Sequence, residues 1–215
     1  DAAVDGAIAC KFRNSGQVCI AANRFLIQSG IFKEFKEKFK ERIVSLAVGD
    51  GFEPGKEVGP LITEAAVVKV ESHIKNALSM GATLEVGGKR HQLGGTFFEP
   101  TLLSNVSTEM VLSNEETFGP VAGLIQFETE EEAIKIANDT PGGLAAYFFS
   151  QNNARVWRVS EGLEYGMVGA NTGLISTAIA PFGGMKESGL GREGSHYGTE
   201  EWLETKYVCM GEINP

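Results

Sequence analysis

Cys19 is the residue of this sequence best suited to covalent chemistry. It ends a polar, glycine-containing stretch (residues 12–19, FRNSGQVC) between a predicted helix and a predicted buried strand. Loops held by rigid elements commonly display reactive side chains. A thiol reacts as the thiolate, which nearby positive charge and backbone N–H groups stabilise, and Arg13 and the loop amides are groups of that kind. The spacing alone fits equally well with Cys19 as a small buried hydrophobic residue.

A second candidate motif is the glycine-rich string at residues 189–194 (GLGREG). It matches the G-x-G-x-x-G pattern of dinucleotide-binding folds, but that pattern requires a preceding strand, a following helix and a later acidic residue within one βαβ unit. Here the string follows residues 181–184 (PFGG), and too few residues come after it for such a unit. We therefore predict a glycine-rich structural turn.

The remaining cysteines and the histidines suggest no further chemistry. Three cysteines are an odd number, which disfavours a disulfide framework and favours a reducing compartment. Their spacing fits no zinc pattern, so no metal site is predicted. The histidines are scattered and are predicted to be non-catalytic, with His73 on the solvent side of a helix; they are His73, His91 and His196.

Composition limits the classes of partner. The 215 residues are 42% hydrophobic and 22% charged, with a net charge of −9, which is typical of a globular protein. This charge argues against nucleic acid and anionic membrane surfaces, although one local arginine can still hold an acidic substrate. No apolar run approaches the roughly 18 residues of a membrane span. The sequence starts without Met inside a predicted helix, so we expect a longer protein.

Helix and strand patterns alternate along the chain. Residues 1–12 and 63–80 read as helices, and residues 23–29 and 83–86 as strands. A helix after Gly30 carries an apolar stripe that we predict to be core: Phe32, Phe35, Phe39, Ile43 and Leu46.

The clearest unit covers residues 121–150. A strand at 121–127 leads into a capping box formed by Thr129 and Glu132, a helix at 130–137 and a buried strand at 144–149. A crossover of this length predicts parallel pairing of the two strands. A helix at 153–162 and a strand at 167–170 continue the alternation, which predicts an α/β fold with a largely parallel sheet flanked by helices. Residues 202–210 read as a strand that needs an edge to join, within the domain or on a partner subunit.

Three segments together resemble the aldehyde dehydrogenase family. The loop with Asn14, Gly16, Gln17 and Cys19 resembles its N-x-G-Q-x-C segment, and residues 115–120 resemble its E-E-x-F-G-P segment. Residues 181–193 resemble its P-F-G-G…S-G-x-G-R-E segment. The order matches over essentially the whole chain. The resemblance implies a catalytic domain of that family's type at residues 1–201 and a C-terminal strand at 202–215 involved in oligomerisation, with the N-terminal cofactor-binding domain absent from this chain.

The resemblance also implies roles for particular residues. Cys19 would be the nucleophile, and the cofactor would be NAD or NADP, held by Glu116 with Phe118 beside it. Strings at residues 11–14, 88–91, 173–176 and 206–209 resemble the branch that oxidises succinic semialdehyde. In that branch Arg13 and Ser176 would hold the distal carboxylate and Phe182 would line the substrate channel. Each also has a plain structural interpretation, as a solvated or ion-paired side chain, a turn residue or a core aromatic.

Two departures qualify this picture. Relatives in this branch often carry a second cysteine two residues after the nucleophile, where this sequence has Ala21; no disulfide regulation is expected there. The family's general base, side-chain oxyanion donor and nucleotide site precede Asp1, so the chain alone is expected to be inactive. The full-length protein is expected to be a homo-oligomer (dimer or tetramer) of the cytoplasm or mitochondrial matrix that binds a small aldehyde. The alternatives are another aldehyde substrate, or a non-catalytic structural protein that retains the fold.

Overall fold

Four strands form the main sheet in the computed structural model, which describes residues 1–212. They are β1 (Arg24–Gln28), β2 (Thr83–Val86), β3 (Thr101–Ser104) and β4 (Val121–Phe127), arranged in the order β1-β4-β3-β2. β4 pairs in parallel with β1 and β3, and β2 runs antiparallel to β3. The predicted α/β fold with a largely parallel sheet is confirmed.

Helices cover both faces of this sheet, because side chains alternate between the faces along each strand. Ala122 and Leu124 of β4 belong to the core shared with α1 (Ala2–Phe12) and α2 (Ser29–Val44). Val121 and Ile125 belong to the core shared with α3 (Glu64–Ser79) and α4 (Val111–Asn114). The sheet therefore separates two apolar clusters, and its central strands β3 and β4 are largely buried on both faces.

The aromatic stripe of α2 is core, as predicted. Phe39 is completely buried, and its ring centroid lies 5.4 Å from those of both Phe25 and Phe35. The predicted limits of α3 are also confirmed. Thr63 caps its start by accepting a hydrogen bond from the Ala66 N–H at 3.2 Å, and Gly81 follows it with φ of +100°.

The segment after β4 differs from the prediction. It contains α5 (Glu130–Asn138), β5 (Gly142–Gly143), β6 (Ala145–Phe148), α6 (Asn153–Gly162), β7 (Met167–Ala170) and β8 (Met185–Lys186). β6 pairs in parallel with β7 and not with β4, because both edges of β4 are already occupied by β1 and β3. The predicted β4–β6 pairing is therefore wrong, and β6 is half-buried where a buried strand was expected.

Two smaller predictions also need correction. The Thr129 hydroxyl caps α5 by accepting from the Glu132 N–H at 3.2 Å, but the Glu132 carboxylate accepts from the N–H of Glu128 at 2.8 Å, so only half of the capping box is present. Residues 203–212 form no strand, although β1 and β2 each have an unpaired edge in the main sheet. A 3₁₀ turn at Tyr197–Trp202 precedes them, and residues 213–215 of the predicted C-terminal segment lie outside the described part of the chain.

Candidate active site

Cys19 lies beyond a tight turn in which three successive residues adopt the left-handed conformation. α1 ends at Phe12, after which φ is 50° at Asn14, 59° at Ser15 and 74° at Gly16. Such angles are unfavourable for a non-glycine residue unless its surroundings compensate. The Asn14 side chain does so locally by donating to the Gln17 carbonyl at 3.0 Å, while the Gln17 N–H donates to the Asn14 carbonyl at 3.0 Å.

Long-range hydrogen bonds hold the same turn from outside. The Ser15 hydroxyl donates to the Gly59 carbonyl at 2.9 Å. The Gln17 side chain accepts from the Ile62 N–H at 2.8 Å and donates to the Pro60 carbonyl at 3.3 Å. The loop before α3 therefore fixes the shape of this turn, residues 13–19, which we call the nucleophile turn after the thiol that it carries. The Cys19 side chain itself remains exposed.

The side chains of a buried cysteine and a half-buried tyrosine support the residue after Cys19. The Tyr147 hydroxyl donates to the Ile20 carbonyl at 2.9 Å, and the Cys10 thiol donates to the same oxygen at 3.6 Å. The Ala22 N–H donates back to the Cys10 sulfur at 3.3 Å. Burial raises the pKa of the Cys10 thiol, so it stays protonated. Cys10 thus stabilises the backbone next to the nucleophile turn through its two hydrogen bonds. It is not suited to be a second nucleophile.

The segment that carries Glu116 packs directly against this turn. A Cβ atom on Gly16 would lie 2.2 Å from the Gly119 carbonyl oxygen, so the two backbones are in contact and only glycine fits. Asn23 joins the two segments as well, since its side chain accepts from the Thr117 N–H at 3.1 Å and donates to the Glu115 carbonyl at 3.0 Å. The first two sequence motifs are therefore neighbours in space.

A cleft of about 850 Å³ is lined by both Cys19 and Glu116. Its other walls include β1 and β6. The Glu116 side chain is exposed and forms no ion pair among residues 1–212. Phe118 follows with φ of 51° and a ring that is 38% exposed, although it does not line the cleft. This arrangement offers a nucleophile and a hydrogen-bond acceptor for a ligand that enters one concave site.

The three residues predicted to bind substrate are brought together only in part. Ser176 and Phe182 line a separate shallow pocket of about 450 Å³, to which Arg13 does not contribute. The segment before Ser176 rests on α1, because a Cβ atom on Gly173 would lie 2.1 Å from the Gly6 carbonyl oxygen. Arg13 is exposed on the nucleophile turn and forms no ion pair within the described residues. Its guanidinium is therefore available to a ligand.

The glycine string at residues 189–194 is a structural turn, as predicted. Gly189, Gly191 and Gly194 have positive φ, and Glu193 pairs with Phe182 through two backbone hydrogen bonds. The string follows the two-residue strand β8 and precedes a 3₁₀ turn, so it is not part of a βαβ unit.

The sequence did not predict the positions of several residues around the site. His73 was expected on the solvent side of its helix but is only 3% exposed, and its ring nitrogens lie beside the side chains of Thr117 and Glu115. Lys11 is 1% exposed at the end of α1. For Asn23 and Tyr147 the chain holds no local signal, since their partners lie 94 and 127 positions away.

Metal and membrane features are not prominent in this part of the chain. Among residues 1–212, no three His, Cys, Asp or Glu side chains gather closely enough to hold a metal ion. Within the same residues, every helix is too short or too polar to cross a membrane.

Comparisons with known proteins agree with this geometry. The model of the aldehyde dehydrogenase family matches residues 1–208. Mitochondrial succinate-semialdehyde dehydrogenase of Arabidopsis thaliana is 60% identical over 214 residues, covering 100% of this chain and 40% of that protein. A probable NADP(+)-type succinate-semialdehyde dehydrogenase of Sinorhizobium fredii is 56% identical, covering 99% of this chain and 43% of that protein.

Solved structures show the same relationship. Succinate-semialdehyde dehydrogenase of Burkholderia pseudomallei superposes with a TM-score of 0.96 at 57% identity, over 98% of this chain and 44% of that one. Betaine aldehyde dehydrogenase of Staphylococcus aureus, solved with NAD+, gives 0.93 at 41% identity, over 96% of this chain and 42% of that one. The chain spans about two fifths of the length of the curated relatives it matches. By family match, fold and spatial order of its motifs, this chain belongs to the aldehyde dehydrogenase family.

Proposed function

We propose that this chain is the cysteine-bearing catalytic part (residues 1–201) of an NAD(P)-dependent enzyme that oxidises succinic semialdehyde to succinate. The observation that carries the proposal is the shared cleft, in which the exposed thiol of Cys19 and the exposed carboxylate of Glu116 face one ligand site. The similarity to succinate-semialdehyde dehydrogenases supports the choice of substrate. We use the term full-length protein for this chain together with the portion that its relatives have and that this chain does not span. In that protein, the other portion supplies the nucleotide-binding domain.

The proposed reaction uses Cys19 twice. Its thiolate adds to the aldehyde carbon and gives a thiohemiacetal, whose oxygen accepts a hydrogen bond from the Cys19 backbone N–H. The C–H bond then breaks with its electron pair and leaves a thioester on Cys19. Water adds to the thioester carbon, the carboxylic acid departs and the thiolate is restored. The coenzyme, when bound, supplies the acceptor for the hydride.

The described residues fit such a coenzyme. A carboxylate that is exposed to the cleft and unpaired within residues 1–212 is able to accept hydrogen bonds from ribose hydroxyls, and Glu116 meets that description. Phe118 provides a partly exposed ring two residues further on. One relative is of the NADP(+) type and one neighbouring structure holds NAD+, so the proposal covers NAD or NADP and leaves the selection between them to the other portion.

The first test is turnover by the full-length enzyme after single changes at its exposed thiols. Cys19→Ala should abolish aldehyde oxidation, because neither the thiohemiacetal nor the thioester is then able to form. Cys209→Ala removes an exposed thiol outside the cleft and is the matched control, with activity expected to remain. Steady-state production of NAD(P)H measures both. Comparable turnover in the two variants would contradict the role of Cys19.

The second test concerns recognition of the distal carboxylate. A guanidinium meets a carboxylate with two parallel N–H bonds, and Arg13 is exposed six positions before Cys19. With Ser176 as its proposed partner and Phe182 lining the apolar part of the channel, Arg13→Ala should lower kcat/KM for succinic semialdehyde by roughly one to two orders of magnitude. Arg13→Lys should recover part of the loss.

The control is a neutral aldehyde of similar length. Because Arg13 belongs to the nucleophile turn, its removal is also able to disturb Cys19, and that disturbance would affect both aldehydes alike. A selective loss for the charged substrate supports carboxylate recognition. Equal losses would assign Arg13 to the support of the turn.

The C-terminal segment has apolar side chains that suit it to contact another subunit. Within residues 202–210 it exposes Trp202, Leu203, Tyr207, Val208 and Met210, a concentration of apolar surface suited to burial against another subunit. We propose that residues 202–215 join a neighbouring copy in a dimer or tetramer, in the cytoplasm or the mitochondrial matrix. Deletion of residues 202–215 from the full-length protein should lower its mass in light scattering to that of a smaller assembly.

A further inference from the structure

A buried histidine lies behind the segment that carries Glu116. His73, in the middle of α3, is 3% exposed. Its Nδ1 lies 3.1 Å from the Thr117 hydroxyl oxygen, and its Nε2 lies 3.7 Å from a carboxylate oxygen of Glu115. The ring therefore contacts the residues on both sides of Glu116.

Apolar residues flank His73 along α3. Its helical neighbours Val70, Ile74 and Ala77 belong to the core between α3 and the sheet. An imidazole placed there loses its hydration and must recover the cost through hydrogen bonds, whereas a leucine would fill the same space without that cost. The polar side chain is thus explained by its two polar contacts, which are the side chains of Glu115 and Thr117.

The protonation of the ring suits this arrangement. Burial, reinforced by the charge of Lys69, lowers the pKa of His73, and the opposing effect of Glu115 is smaller. The neutral ring has one donor and one acceptor. When Nε2–H is directed at the Glu115 carboxylate, Nδ1 accepts the hydroxyl hydrogen of Thr117, so one tautomer serves both contacts.

Thr117 is held from a second direction by Asn23, the residue just before β1. Its backbone N–H donates to Asn23 at 3.1 Å while its hydroxyl meets His73. The next residue, Phe118, has the unfavourable φ of 51°, which its surroundings must maintain. Glu116 has no hydrogen-bonded side-chain partner of its own within the described residues. Its direction therefore depends on the two residues that flank it.

We infer that His73 is a positioning residue for coenzyme binding, which holds Glu115 and Thr117 so that the Glu116 carboxylate between them faces the cleft it shares with Cys19. The inference rests on the proposed function, since it takes Glu116 as the coenzyme contact. Helix α3, which carries His73, would therefore contribute to the affinity for NAD or NADP.

The experiment measures coenzyme affinity in the full-length enzyme without turnover, by fluorescence titration with NADH and NADPH, alongside the KM for aldehyde. His73→Leu and Thr117→Val each leave one polar partner buried and unsatisfied. Each should weaken coenzyme binding about three- to tenfold, lower the Tm and leave the aldehyde KM unchanged. The double variant removes both partners, so its Tm should recover while coenzyme binding stays weak. Recovery of both quantities in the double variant would show a purely structural pair and overturn the inference.

Two further variants sharpen the result. His73→Asn keeps a polar group near the position of Nδ1 and should restore coenzyme affinity in large part. Ile74→Ala, on the same helix and 4% exposed, should lower the Tm without changing coenzyme affinity. If Ile74→Ala weakens the coenzyme as much as His73→Leu does, general loosening of α3 is responsible and the inference fails.

Glu116→Gln separates this inference from the proposed function. Weaker coenzyme binding in Glu116→Gln together with unchanged binding in His73→Leu would overturn the role of His73 alone. Unchanged binding in Glu116→Gln would overturn the role of Glu116, and the inference would fall with it.

Discussion

Cys19 and Cys209 are both exposed, whereas Cys10 is buried beneath the nucleophile turn. The strand predicted for residues 202–210 gave a reason to expect slower alkylation of Cys209 than of Cys19. That reason does not hold for Cys209, which lies in no strand. Access to solvent therefore no longer distinguishes Cys19 from Cys209, and any rate advantage of Cys19 reports chemical activation by its turn.

We expect mass-mapped iodoacetamide labelling at neutral pH to modify Cys19 first, Cys209 next and Cys10 last. Cys10 is slowest because it is buried and its raised pKa keeps it as the thiol. Unfolding in urea should bring Cys10 to the rate of the others, which provides the control. Equal native rates at Cys19 and Cys209 would show that the turn does not activate its cysteine.

At the scale of residues, the sequence predicted residues that line the cleft better than the residues that hold them in place. Cys19 and Glu116 lie in short motifs whose letters are contiguous, and the structure places both in one cleft. Asn23, Tyr147 and His73 act through partners 44 to 127 positions away, so their contacts exist only after folding. His73 was predicted on the solvent side of its helix because a polar residue within a helical pattern usually faces solvent.

The first helix ends on a buried lysine. Lys11 is 1% exposed, and burial lowers the pKa of its ammonium group from 10.5 to about 8, against smaller opposing effects of Cys10 and Glu116. The folded protein thus binds this proton less tightly than the unfolded chain does. Between about pH 8 and 10.5 the unfolded state carries more protons, so the free energy of unfolding should rise with pH across that window.

Replacement of Lys11 by Met should remove the free-energy cost of burying its charged ammonium group. We expect Lys11→Met to raise the free energy of unfolding at pH 7 by ~2–3 kcal/mol, and the gain to shrink as the pH increases through 8 to 10. Urea denaturation at several pH values measures it, with Lys89→Met at a side chain 74% exposed as the control. A constant difference between wild type and Lys11→Met across this range would contradict the assigned titration.

At the scale of elements, the longer helices and strands were predictable from the sequence, whereas the pairing of strands was not. α2, α3 and β4 have long, regular apolar patterns, and their bounds agree with the prediction within one or two residues. β3 was missed because four buried residues give no period to detect. The pairing of β6 depends on which edges of β4 remain free, and that is decided by β1 and β3 elsewhere in the chain.

For the whole molecule, the chain covers about two fifths of its curated relatives. The family resemblance assigns the general base and the nucleotide site to residues that this chain does not contain. We therefore expect the purified 215-residue chain to oxidise no aldehyde with NAD or NADP, although its cleft and thiol are in place. Absorbance at the NAD(P)H band with succinic semialdehyde measures this, and turnover by the chain alone would contradict it. Addition of the remaining portion of the protein in trans is the positive control.

The contact between Gly16 and Gly119 also constrains the order of assembly. These residues are far apart in the chain, and they meet only when β4 has taken its place beside β1. Closing so long a loop is entropically costly and comes late in folding. During synthesis, the nucleophile turn emerges early but lacks the neighbour that shapes it until the segment around Gly119 has left the ribosome. We therefore expect the nascent chain to carry Cys19 in an unshaped segment until β4 has joined β1 in the central sheet.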